Sequence, residues 1–160
     1  MKNIKFFAMD VDGTLTDGKI YMSDKGECFK AFNIKDGYAI HSILREYRMI
    51  PVIITGRKSQ IVEKRAQELN IDEIHQGVSD KLTKLKEIIL RYPGEADLSS
   101  VAYIGDDLND IPTMNAVQES GGLVGCPADA VKQVLERADY IAQHNGGDGA
   151  VRDFIEWIVE

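Results

Sequence analysis

The stretch FFAMDVDGTLTDG, residues 6–18, decides how this chain is to be read. An apolar run ends in two carboxylates, Asp10 and Asp12, and then turns through Gly13. If the run is a buried strand, alternation puts Asp10 and Asp12 on the same side, where their charges repel unless something separates or neutralises them. A cation is the expected neutraliser.

Five more short apolar runs follow, MIPVIIT (49–55), DEIHQG (72–77), SVAYIGD (100–106), GGLVGC (121–126) and ADYIAQ (138–143), and the first extends over 4–11. Between them, 36–47, 58–69, 79–91, 108–117 and 128–136 carry helical spacing, such as Leu82, Leu85, Ile88 and Ile89. Alternation of this kind predicts an α/β fold, a mostly parallel sheet with helices on both faces. Two segments break the rhythm. Residues 19–32, with SDKG at their centre, predict a β-hairpin inserted after the first strand. The tail HNGGDGAVRDFIEWIVE predicts a glycine-rich loop, about 145–149, then a helix with Val151, Phe154, Ile155 and Ile158 on one face. For that loop a docking role with Asp148 near the helix start and a functional role weigh equally.

The 160 residues, 44% of them apolar, suit a single domain spanning 1–160 that buries roughly two-thirds of its unfolded surface. The net charge of −7 and scattered basic residues argue against nucleic acid or an anionic membrane as main partner. Cys28 and Cys126 match neither a disulfide framework nor a zinc site, which suggests a reducing compartment and two small core residues. The basic start reaches Asp10 too soon for a signal peptide, and no stretch approaches a membrane span, so the expected location is the cytoplasm.

In an open α/β sheet, ligands bind beyond the carboxyl ends of the strands, and the polar residues gather there. The first strand ends in Asp10 and Asp12, the run at 50–54 ends in Thr55-Gly56-Arg57, HQGVSDK brings Lys81, and AYIGDDLND brings Asp106, Asp107 and Asp110. Singly, each has a structural explanation: Asp-Gly turns, helix caps, a solvated lysine. Together they make a carboxylate cluster that needs a hard cation, and its oxygen donors suit Mg²⁺ better than zinc. A metal, a hydroxyl and a lysine form a receptor for a phosphoryl group, and a carboxylate can serve as nucleophile. His41, His75 and His144 lack ligand spacing, and Tyr21 and Tyr38 are expected to pack as aromatics.

DVDGTLTDG, TGR, DK and GDDLND, in that order, resemble the four motifs of the haloacid dehalogenase superfamily, across the whole chain. The resemblance implies a Rossmann-like, doubly wound sheet. It implies Asp10 as nucleophile, Asp12 as general acid/base, and Thr55 and Lys81 as holders of the phosphoryl group. Mg²⁺ would take the Asp10 carboxylate, the Asp12 backbone carbonyl and Asp106, with Asp107 and Asp110 in support. No room remains for a cap domain.

Capless length, DGKIYMSDKGE, FNIKDGYAI, TGRKSQIVEKRAQEL, QGVSDK and GGDGAVRD resemble the 3-deoxy-D-manno-octulosonate 8-phosphate phosphatase family. That likeness implies a homotetramer built through the hairpins, a neighbouring subunit acting as cap, and a tail able to close over a site. Gly56, Arg57 and Arg152 are then candidate substrate ligands. Some family members carry an additional N-terminal segment, whereas here the first apolar run begins at Ile4. Related branches act on nonulosonate 9-phosphates or attach as phosphatase-like domains to acylneuraminate cytidylyltransferases. The nonulosonate branch can place Glu third in TGR, so Arg57 favours the eight-carbon acid.

Overall fold

A computed structural model of the chain describes residues 3–160; the basic Lys2 of the start lies outside them. Strand β1 (Phe6–Met9) is buried along its whole length. It pairs in parallel with β4 (Ile50–Ile54) on one side and β6 (Val101–Ile104) on the other. The six-stranded sheet has the order β5-β4-β1-β6-β7-β8, with β5 (Glu73–His75), β7 (Leu123–Cys126) and β8 (Tyr140–Ile141) all parallel to their neighbours. Its inner strands are apolar runs rather than alternating ones because helices cover both faces.

On one face Phe7, Met9, Ile53 and Ile104 pack with Ala39 and Ile40, which follow α1 (Ile34–Tyr38), and against α3 (Gln60–Glu68) and α7 (Ala150–Val159). On the other, Phe6, Ala8, Val52 and Tyr103 pack against α4 (Lys81–Leu90), α5 (Ile111–Glu119) and α6 (Lys132–Leu135). The chain winds from β1 outward through β4 and β5, then returns to β6 and winds the other way. That reversal leaves the carboxyl ends of β1 and β6 side by side, with Met9 opposite Ile104.

The helices depart from their periodic patterns in type and limits. The expected helix at 36–47 begins at Ile34 under an Asn33 cap and passes through a π-helical stretch, Ala39–Ile43, into α2 (Leu44–Glu46). The expected helix at 108–117 opens as a 3₁₀ turn, Leu108–Asp110, before α5. At 128–136 only Lys132–Leu135 is helical, because the preceding groups bind the tail: Ala128 N donates to His144 O and Asp129 Oδ1 accepts from Gly146 N.

The expected hairpin forms as β2 (Tyr21–Ser23) and β3 (Gly26–Phe29), a separate two-stranded antiparallel sheet with the Tyr21 and Phe29 rings stacked at 4.4 Å. Cys28 lies exposed on it, contrary to the expectation of a core position. Cys126 is buried as expected, and burial followed by the Asp106 charge pushes its thiol up to about 12.

The tail is both docked and packed against the loop after β1. Helix α7 buries Ala150, Val151, Phe154, Ile155 and Ile158. Gly149 supplies no side-chain cap; instead Asp36 of α1 accepts from Arg152 N at 2.8 Å, a capping bond made across the structure. Asp148 does not fill that place. Gly147 N donates to Thr14 O at 3.1 Å, and a Cβ on Gly146 would collide with the Gly13 carbonyl, so only glycine permits this contact. Among the described residues no helix is long and apolar enough to cross a membrane.

Candidate active site

Four charged side chains from three separate elements meet at the β1/β6 edge. Asp10 follows β1 and is buried, its backbone N donating to Ile104 O at 3.1 Å. Lys81 opens α4, whose N-terminus Asp80 caps through Thr83 N, and it too is buried rather than solvated. Its Nζ lies 3.0 Å from Asp10 Oδ1 and 2.8 Å from Asp110 Oδ1. Asp106 follows Gly105 after β6 and accepts from Thr14 Oγ1 at 3.1 Å. Carboxylate oxygens of Asp10, Asp106 and Asp110 all lie within 4.8 Å of one another.

Asp110 organises this cluster. It is fully buried and accepts from Tyr103 Oη at 2.6 Å and from the backbone N of Asp106 and Asp107 at 3.0 and 3.2 Å. It thereby fixes the lysine and the GDD turn together. Asp107 acts on the turn alone, where its carboxylate accepts from Leu108 N at 2.7 Å and forms a capping box with Asp110. The glycine of the DGT turn is equally constrained. Gly13 has φ of 89°, and a Cβ there would run into the Asp106 carboxylate.

The electrostatics match a cation site. Burial, then the Asp110 charge, pushes the Asp10 carboxyl up to about 6, against the pull of Lys81. Burial, then Asp10 and Asp110, pushes Asp106 up to about 8. Burial works against the Lys81 charge, but the two carboxylates outweigh it and hold its pKa above the ordinary value. Three acids facing one lysine leave an excess of negative charge in a dry place, and a hard divalent cation bound through oxygen offsets it.

Asp12 does not join the cluster. β1 ends at Met9, so strand alternation no longer governs residues 10–12, and the chain turns Asp12 toward the hairpin. There Lys30 Nζ donates to Asp12 Oδ1 at 2.6 Å. Thr55 is buried at the end of β4, tied by its backbone to His75 O and Val78 N. Gly56 follows it in a setting where an added Cβ would make only ordinary contact. Arg57 is exposed and donates to Glu27 of the hairpin at 3.3 Å. Arg152 lies on α7, its guanidinium over the Tyr38 ring at 5.4 Å and paired with Glu156. Neither arginine contacts the carboxylates of the cluster. The histidines take structural partners: His41 with Asn70, His75 with Glu73, His144 with Asp153.

Sequence reasoning missed Tyr103, Thr14, Lys30 and Glu27. Tyr103 was hidden inside an apolar strand, although a phenol that deep needs a partner. Lys30 had a weak signal, a lone lysine between Phe29 and Phe32.

No family model matches the chain. The 3-deoxy-D-manno-octulosonate 8-phosphate phosphatase KdsC of Escherichia coli (strain K12) is 41% identical over 158 residues, which is 99% of this chain and 80% of that protein. The crystal structure of the corresponding phosphatase from Yersinia pestis superposes with a TM-score of 0.89 at 41% identity, over 99% of this chain and 82% of that one. A Moraxella catarrhalis phosphatase of the same name, in complex with a magnesium ion, a phosphate ion and a KDO molecule, gives the same score and identity over 99% and 87%. A haloacid dehalogenase superfamily hydrolase from Legionella pneumophila shares the fold at a TM-score of 0.86 and 34% identity. By its motifs, its sheet order and this likeness, the chain belongs to the 3-deoxy-D-manno-octulosonate 8-phosphate phosphatase family of the haloacid dehalogenase superfamily.

Proposed function

We propose that this chain is a Mg²⁺-dependent phosphomonoesterase that converts 3-deoxy-D-manno-octulosonate 8-phosphate to the free sugar acid and phosphate. The observation that carries this reading is the convergence of Asp10, Lys81, Asp106 and Asp110 within one buried cluster at the carboxyl ends of β1 and β6.

Asp10 attacks phosphorus, so an Asp10 oxygen–phosphorus bond forms as the bond to the sugar oxygen breaks. Asp12 gives its proton to the departing sugar oxygen. Water then attacks the aspartyl-phosphate, Asp12 takes a proton from it, and Asp10 is regenerated with release of phosphate. Lys81 has three N–H donors and spends two on Asp10 and Asp110, leaving one for a phosphoryl oxygen, and Thr55 offers its hydroxyl. Mg²⁺ would be held by the Asp10 and Asp106 carboxylates and the Asp12 carbonyl, and when bound would supply positive charge that offsets the acids facing an anionic phosphoryl group. Asp110 supports that site by orienting Lys81 and the GDD turn, and Asp107 by capping the turn.

We read the chain as one capless domain in the cytoplasm, assembling as a homotetramer whose neighbour covers the site. Ile20, Met22 and Phe29 on the hairpin and Ile34 beside it are exposed, and an isolated two-stranded hairpin is marginal in water without a partner surface. Gly56, Arg57 and Arg152 are the proposed contacts to the substrate. Arg57 would exchange Glu27 for the sugar carboxylate, a planar acceptor suited to its guanidinium.

The test is phosphate release with Mg²⁺ from octulosonate, nonulosonate and hexose phosphates, run beside a folded Asp10→Asn protein. The expected outcome is preference for the eight-carbon acid and no steady turnover by the variant. Turnover by Asp10→Asn would remove the nucleophile assignment, and preference for the nine-carbon acid would move the substrate.

A further inference from the structure

Lys30 is the least expected charge near the site. It belongs to the segment leaving the hairpin, yet its side chain is only 2% exposed, and it is sandwiched between two acids. Nζ lies 2.6 Å from Asp12 Oδ1 and 3.2 Å from Glu27 Oε2. Glu27 is itself held: its Oε1 accepts from Ser59 Oγ at 2.8 Å and its Oε2 from Arg57. Burial opposes the Glu27 charge, but Ser59, Lys30 and Arg57 more than compensate and lower its pKa. These side chains therefore form one strap from the turn after β4, across the hairpin base, to Asp12.

A buried lysine costs solvation and rotamer freedom, so it persists where both neighbouring acids are held against it. Lys30 engages Oδ1 of Asp12. Among the described residues Asp12 Oδ2 accepts no hydrogen bond, so the strap fixes one oxygen and leaves the other uncommitted.

We propose that Lys30, braced by Glu27, is the positioning residue of the acid/base: it anchors Asp12 Oδ1 so that Oδ2 delivers the proton to the leaving sugar oxygen. This rests on the acid/base role of Asp12 proposed above. It also gives the hairpin a second role beyond any contact with a neighbouring subunit, because the hairpin base carries both ends of the brace.

The test compares steady-state kinetics of the unsubstituted protein and of Lys30→Met, Lys30→Arg, Asp12→Asn and the double variant Lys30→Met/Asp12→Asn. The substrates are octulosonate 8-phosphate and an aryl phosphate with a good leaving group. For the sugar phosphate, Lys30→Met is expected to lower kcat about 10-fold or more with KM within about 2-fold, and Lys30→Arg to recover part of the loss. The aryl phosphate, which needs little protonation, is expected to suffer several-fold less. In the Asp12→Asn background, Lys30→Met is expected to cost nothing further, because its partner is already disabled. Equal losses with both leaving groups, or an undiminished loss in the Asp12→Asn background, would overturn the proposal. Should Lys30→Met fail to fold, Lys30→Arg alone decides: a loss several-fold larger for the sugar phosphate than for the aryl phosphate supports the anchor, and an equal loss with both refutes it. Failure of the underlying reading looks different: Asp12→Asn itself would then leave sugar-phosphate turnover intact.

Discussion

Replacing Lys81 by Met removes the cation that the structure places inside the acid cluster. Lys81 Nζ makes two charge-assisted contacts, 3.0 Å to Asp10 and 2.8 Å to Asp110, and both acids are buried. Such hydrogen bonds contribute about 1.5–3 kcal/mol each, and breaking a buried pair by removing one partner costs roughly 3–5 kcal/mol. A loss of that size is a large part of the roughly 5–15 kcal/mol that holds a domain folded. The loss depends on pH in a definite direction. Asp10, which contacts the lysine, has its carboxyl pKa raised to about 6, so at low pH it takes up a proton and no longer needs the lysine. Urea unfolding of metal-free wild type and Lys81→Met at pH 8 and pH 5.5 is the assay. The expected outcome is the full loss at pH 8 and a smaller one at pH 5.5, with added Mg²⁺ restoring part of the stability at pH 8. A loss below about 1 kcal/mol at pH 8, or an equal loss at both pH values, would refute the view that Lys81 is the counter-charge of these acids.

Two further outcomes follow from the same structure. With folded-state values raised above the ordinary 3.8, Asp10 and Asp106 keep the folded protein more protonated than the unfolded chain from about pH 4 to about pH 8. Metal-free stability should therefore fall as pH rises through that window, and the Tm gain from a fixed Mg²⁺ concentration should grow; an equal gain at pH 5 and pH 8 would contradict it. On the hairpin, Met22→Glu with Phe29→Glu should give smaller species in light scattering and lower activity together, because the changes place charge on exposed apolar residues without touching the carboxylate cluster. A fully active monomer would sink the subunit-cap reading.

The parallel sheet was legible because each strand is a short apolar run followed by turn residues, and the helices because their apolar residues recur every three or four positions. The site was legible for the same reason: in this architecture polar residues just past a buried strand gather at one edge, so Asp10, Asp106 and Lys81 could be grouped from the sequence. Helix limits were less legible. The stretch 128–136 has helical spacing, yet Ala128 and Asp129 hydrogen-bond the tail instead of continuing a helix.

The order of motifs along the chain by itself determined the fold class and the cluster of acids, because strand alternation and apolar periodicity are local properties. Only the tertiary structure decided where each acid sits and what it contacts. Asp10 and Asp12 are two residues apart in sequence, but one enters the buried cluster with Lys81 and the other turns to Lys30 on the hairpin. Asp110 and Tyr103 meet for the same reason, across a turn whose shape no spacing rule supplies. Asp36 caps a helix 116 residues away in the sequence. Partners so placed are chosen by how packed layers bring side chains together and by the cost of leaving a buried charge unpaired, and neither quantity can be read from neighbours along the chain.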